Sequence, residues 1–83
     1  MAKFLMCAVR DQAVKAFNAP MLFRSVDEAR RSFGDAVNDP KMEFGKHAAD
    51  FSIWLLAEWD DAGKITLCEP DCIMQAVDCV PAT

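Results

Sequence analysis

One stretch of this 83-residue chain carries its own start and stop signals, and it limits what the rest can become. Ser25-Val26-Asp27-Glu28 is a capping-box pattern. The Ser25 hydroxyl can accept from the Glu28 backbone N–H, while the Glu28 carboxylate reaches back to the Ser25 N–H. Asp27 and Glu28 also suit the positive end of a helix dipole. Val26, Ala29, Phe33, Ala36 and Val37 form one apolar stripe, with Arg30, Arg31 and Asp35 away from it. Asn38-Asp39-Pro40 stops the element, so the spacing predicts a helix over 26–38.

The clearest remaining elements read as strands. From Lys3 to Arg10, Phe4, Met6 and Ala8 fall on one side and Leu5, Cys7 and Val9 on the other. A strand apolar on both sides is a central one. So short a chain has few elements with which to cover two faces, so a subunit contact is expected, most simply a homodimer. Phe51–Asp60 is a second strand, with Phe51, Ile53, Leu55, Ala57 and Trp59 on one face and Ser52, Trp54, Leu56 and Glu58 on the other. On this alternation Trp54 and Trp59 point to opposite faces, one into the core and one outward as an interface anchor. Asp60-Asp61-Ala62-Gly63-Lys64 is a hairpin turn, and Lys64–Cys68 returns as a third strand that Pro70 ends. Residues 11–24 are ambiguous. Ala13, Val14 and Phe17 have helical spacing, Asn18-Ala19-Pro20 ends any such helix, and Met21-Leu22-Phe23 runs extended. The tail Asp71–Val80 is either a short helix or an extended segment, closed by Pro81. The expected fold is a single α+β domain over 1–83. A small, mainly antiparallel sheet of about three strands packs with one main helix, in the order β-(α)-α-β-β-tail.

Charge narrows the function. The net charge is −4 and the pI about 4.7, against the basic balance of a general nucleic-acid coat protein. Residues 1–49 hold 8 Lys/Arg and 6 Asp/Glu, while residues 50–83 hold 1 Lys and 7 Asp/Glu. Any anion-facing surface must come from the first half, where Arg24, Arg30, Arg31, Lys41 and Lys46 form the candidate DNA- or partner-binding cluster. Its bland reading is a solvated helix face balanced by Asp27, Glu28 and Asp35. No apolar run approaches a membrane span, and the short apolar opening closes with Arg10-Asp11, so a protein that is not exported is expected.

No catalytic constellation stands out, and a non-enzymatic role is expected. His47 is the sole histidine, and nothing local activates any of Cys7, Cys68, Cys72 or Cys79 as its partner. The spacing Cys68-x3-Cys72-x6-Cys79, interrupted by Pro70, fits packed free thiols better than a zinc or redox module. Asp60-Asp61 reads as a solvated turn. No phosphate-cradling glycine loop is present, and neither a cofactor nor a metal is expected.

The order of motifs nevertheless has a familial look. A capped helix ending Val37-Asn38-Asp39-Pro40 precedes Phe44-Gly45-Lys46-His47. Asp50-Phe51-Ser52-Ile53-Trp54-Leu55 and Glu58-Trp59-Asp60-Asp61-Ala62-Gly63 follow. Over about residues 3–67 this resembles the small nonstructural protein of gokushoviruses, the microviruses typified by the chlamydial phages. Ala48-Ala49 stands where that family has Pro-Glu, and Ala57 where a glycine is common. The resemblance implies a counterpart of the microvirus C protein, acting in the switch to single-stranded viral DNA synthesis and packaging. It further implies a place in the host bacterial cytoplasm, outside the mature virion. The implied partners are the phage replication initiator or procapsid proteins, with single-stranded DNA a further candidate. It brings no catalytic residues. Asn38, Asp39, Pro40, Phe44, Lys46, His47, Asp60 and Asp61 are motif positions that structure or function could equally require.

Overall fold

In the computed structural model, which describes residues 2–80, the chain forms a five-stranded antiparallel sheet with one α-helix. Pro81 lies outside the described residues. The strands are β1 (Lys3–Asp11), β2 (Ala16–Phe17), β3 (Met21–Phe23), β4 (Phe51–Asp60) and β5 (Ile65–Gln75), and the helix α1 is Val26–Val37. The order β2-β1-β4-β5, with β3 also on β1, makes β1 and β4 the central pair. This is the expected α+β, mainly antiparallel architecture, with two more short strands than the sequence indicated.

Helix α1 begins where its cap lies. Ser25 is extended (φ −155°, ψ 166°) and its Oγ accepts from the Glu28 N–H at 3.1 Å. The reciprocal half of the box differs from expectation. The Glu28 carboxylate accepts from the Arg24 N–H at 3.1 Å, because the extended Ser25 presents the preceding N–H to the first turn. At the far end Asn38 caps, its backbone N–H donating to Gly34 and Ala36. The buried Ala29, Phe33 and Val37 rest on the β1–β4 face that carries Cys7, Val9, Phe51 and Ile53. Phe44 joins Phe33 and Phe51 with ring centroids 6.0 and 4.8 Å away, so the loop after the helix is pinned through an aromatic ring. Next to it, Gly45 lies against the helix end, where any Cβ would collide with the Val37 carbonyl oxygen.

Three local readings are corrected. The helical spacing of Ala13, Val14 and Phe17 yields no helix. Asp11 Oδ1 accepts from the Ala13 N–H at 3.0 Å, bending the chain into a turn that Lys15 completes at φ 57°. Residues 16–17 then pair back on β1. Pro70 does not end the last strand: β5 runs to Gln75, and the expected short return strand and separate tail are largely one strand. Proline is tolerated there because β5 is an edge strand and Cys68–Pro70 lies within a register irregularity, between the pairs Ala57↔Leu67 and Leu55↔Asp71.

The third correction concerns the faces of β4. Met6 pairs with Ala57 but Cys7 pairs with Leu55, so Leu56 is an extra residue. A bulge resets the alternation. Phe51, Ile53 and Leu55 face the helix as expected, whereas Ala57 and Trp59 pair with Met6 and Phe4 on the opposite face. Trp54, paired with Ala8, is on that face too. The two tryptophans therefore share a face, and neither is fully buried.

Two substitutions separate the cap from the close approach. Ser25→Ala is expected to cost about 1 kcal/mol. Gly45→Ala forces the loop off the helix end and is expected to cost more, roughly 1–3 kcal/mol. Urea midpoints at unchanged slope measure both.

Candidate functional site

The five cations of the candidate cluster are all exposed, and α1 holds them at two ends. Arg24 immediately precedes the cap, and Arg30 and Arg31 follow in the first half of the helix. Lys41 and Lys46 lie in the loop beyond its end. Twelve residues at 1.5 Å rise put about 18 Å of helix between its two ends. Each group has acidic neighbours in sequence. Arg30 Nη1 lies 3.4 Å from Asp27 Oδ1, an exposed pair of little energetic weight.

The motif positions largely hold the chain together. Asn38 Nδ2 donates to the Gly34 carbonyl at 2.9 Å and to the Cys79 carbonyl at 3.1 Å, tying the helix end to the segment after β5. Asp39 Oδ1 accepts from the Lys41 N–H at 2.9 Å, an Asx turn around Pro40. Phe44 is core. Asp60 Oδ1 accepts from the Ala62 N–H at 2.9 Å, and Gly63, at φ 90°, completes the tight turn between β4 and β5. Asp61 exchanges hydrogen bonds with Ala2, its N–H donating to the Ala2 carbonyl at 3.1 Å and its Oδ2 accepting from the Ala2 N–H at 3.2 Å. His47 is exposed. Its carbonyl accepts from the Asp50 N–H at 2.8 Å, and its ring shares a shallow hollow with Asp11, Glu43 and Asp50.

Among the described residues no group of three His, Cys, Asp or Glu side chains gathers as a metal site would require, and the four cysteines are free thiols. Burial and the neighbouring Cys68 push the Cys7 thiol up to about 11, and burial also raises Cys72 and Cys79. These three thiols are held protonated at neutral pH, opposite to the activation a nucleophile needs. Cys79 Sγ packs 3.1 Å from the Met74 sulfur.

What the fold presents is surface. An apolar cleft of about 460 Å3 opens between β3 and α1, lined by Pro20, Met21, Phe23, Phe33, Met42 and neighbouring residues. It has room for one or two apolar side chains of a partner. On the other side of the sheet lies the face carrying Phe4, Met6, Trp54 and Trp59. Alternation counted along the sequence missed that face, because the bulge splits it. The run Ile53-Trp54-Leu55-Leu56-Ala57, apolar throughout, is where alternation carries no information about faces and was the available signal.

The fold and its surfaces define a small α+β protein with an apolar cleft beside its helix and an apolar sheet face on the other side. A family model described as Phage ORF5 protein matches residues 4–79, and the chain belongs to that family, which makes it a bacteriophage protein. No curated protein and no solved structure matches the chain significantly. No helix among the described residues is long and apolar enough to cross a membrane.

The Cys7 thiol gives a pH test. Its folded pKa lies above the ordinary thiol value of 9.0, so the folded state holds the proton longer than the unfolded chain. This contribution to stability is intact below pH 9 and is lost as pH rises through about 11. Cys7→Ala is expected to flatten that alkaline decline, read as urea midpoints at pH 8 to 11 against the parent protein.

Proposed function

We propose that this phage protein is a non-enzymatic, nonstructural accessory factor of gokushovirus type, the counterpart of the microvirus C protein. It acts in the host bacterial cytoplasm, outside the mature virion, in the switch from double-stranded replication to single-stranded genome synthesis and packaging. The family match over residues 4–79 carries the reading, because it spans the stretch that holds the gokushovirus-like motifs. The site geometry supports it from the other side. The motif residues Asn38, Asp39, Phe44, Asp60 and Asp61 serve as structural fastenings, leaving the exposed surfaces free to act. The net acidic balance favours protein partners, the replication initiator or procapsid proteins. Direct contact with single-stranded DNA falls to Arg24, Arg30, Arg31, Lys41 and Lys46. A second reading, an interaction module with no nucleic-acid role, is favoured by the two-ended placement of those cations.

The decisive experiment is a phage carrying a stop codon early in this gene. Infected cells are expected to accumulate replicative-form DNA and lose single-stranded genomes, measured by gel and hybridisation. An unchanged ratio of the two forms overturns the reading. A salt series with the pure protein and a single-stranded oligonucleotide then separates the two modes of action. Direct binding loses affinity with salt at a log–log slope of about −0.7 per phosphate contact, and Arg30→Glu with Arg31→Glu abolishes it. No binding at low salt confines the protein to protein partners.

A further inference from the structure

The helix covers one side of the sheet and leaves the other bare. Residues paired across an antiparallel ladder share a face. The pairs Phe4↔Trp59, Met6↔Ala57, Ala8↔Trp54 and Arg10↔Ser52 therefore lie together, away from α1. β5 extends this face with Ile65 and Leu67, paired to Trp59 and Ala57. On the other flank Leu22 pairs with Met6, and Phe17 pairs with Arg10. Ala8 and Ala57 are 0% and 1% exposed, yet they stand outside the core that packs on the helix. They form the floor of a second apolar layer, walled by the ring pairs Phe4–Trp59 at 5.5 Å and Phe17–Trp54 at 6.3 Å. No described element lies over that layer. Its outer members are strongly exposed, Leu67 at 83% and Ile65 at 53%.

We propose that this face is a homodimer interface, closed by the same face of a second copy of the chain. The proposal stands independently of any role in phage DNA synthesis. Three observations select a second copy. The first is area. The chain exposes 5632 Å2, whereas a compact monomer of 9.2 kDa exposes roughly 4,900 Å2. The excess of roughly 700 Å2 approaches the ~800 Å2 that each partner buries in a standard interface. The radius of gyration, 13.1 Å against about 12 Å for a compact chain of this length, records the same open shape.

The second observation is chemistry. In a chain 27% charged, the ladder pairs on this face contain a single charge, Arg10, whose guanidinium lies 5.5 Å from the Phe17 ring centroid. Aromatic and Met enrichment with charge depletion is the composition of an interface core. The Trp54 indole N–H already donates to Ser52 Oγ at 2.8 Å, so covering that ring leaves no donor unsatisfied. The third is self-complementarity. Each copy has net charge −4, and this face is where two copies can meet without opposing their acidic groups. A two-fold axis across the strands sets the Arg10 end of one copy over the Asp60-Asp61 turn of the other. Stacked nucleic-acid bases fit less well, because one arginine cannot follow a phosphate backbone.

Sedimentation over a concentration series, from nanomolar to high micromolar, tests this on the full chain. The expected result is a dimer of twice 9.2 kDa. Leu67→Asp and Ile65→Asp each place a charge at a solvent-facing site, so the fold survives. Each is expected to weaken association by at least about tenfold, with an unchanged far-UV spectrum. Met42→Lys, beside the cleft on the helix side, is expected to leave association unchanged. A monomer at every concentration overturns the proposal, as does a dimer that Met42→Lys dissociates and Leu67→Asp does not. A monomer whose tryptophan fluorescence is quenched by a single-stranded oligonucleotide also overturns it, and makes the face a base-stacking platform.

Discussion

An antiparallel ladder keeps its faces in order only while each residue meets one partner, and at Met6 the first strand meets two residues of the fourth. That one extra residue, Leu56, decides how the apolar content of β4 is divided. Before it, Phe51, Ile53 and Leu55 turn toward the helix. After it, Ala57 and Trp59 turn away and join Trp54, Phe4 and Met6. Without the bulge, Ala57 and Trp59 would continue on the helix side, toward the far hairpin where α1 does not reach. With it, the helix core ends near Leu55 and a second apolar layer begins on the other face. β1 can serve both because it is apolar on both sides along most of its length.

On the helix side local chemistry and long-range packing agree. Ser25 and Asn38 fix the two ends of α1, and Phe33, Phe44 and Phe51 tie the helix, its following loop and β4 into one stack. Burial of each ring contributes roughly 2–3 kcal/mol before entropy is counted. Gly45 lets the loop lie flush on the helix end, and the Asn38 side chain spans from there to Cys79. The family-like motifs concentrate at these junctions. Their spacing is constrained by the geometry of a loop, residues 38–50, that must return from the end of α1 to the start of β4 while packing against the helix end.

What could be read from the sequence follows the range of the forces involved. The helix over 26–37, the strand over 51–60 and the turn at Gly63 rest on neighbours within four residues, and all were legible. The turn at 12–15 was not, because helical spacing and an Asx turn at Asp11 compete locally and the pairing of Phe17 with Arg10 lies outside that window. Strand β5 was cut short at Pro70 because proline is normally a stop. Its tolerance there depends on an edge position that only the assembled sheet defines. The shared face of Trp54 and Trp59 depends on the partner strand in the same way. The cationic cluster was legible only as residues around one helix and its following loop; that Arg24 and Lys46 lie beyond opposite ends of that helix follows from the length of α1.

The two sides of the sheet therefore differ in charge and in what covering them costs. The helix side carries the cations, the Phe33–Met42 cleft and exposed polar side chains, so it can meet a charged or mixed surface but cannot be desolvated wholesale without losing hydrated charge. The opposite face carries almost no charge and gains by desolvation. Pairing through the bare face leaves both helix sides outward, one on each copy. Two weak cationic ends per copy would then act together on one extended partner, and linkage raises their combined affinity without any new contact. Under the proposed dimer, a net acidic chain of 83 residues would engage one extended partner through several modest contacts, none of which needs to be strong alone.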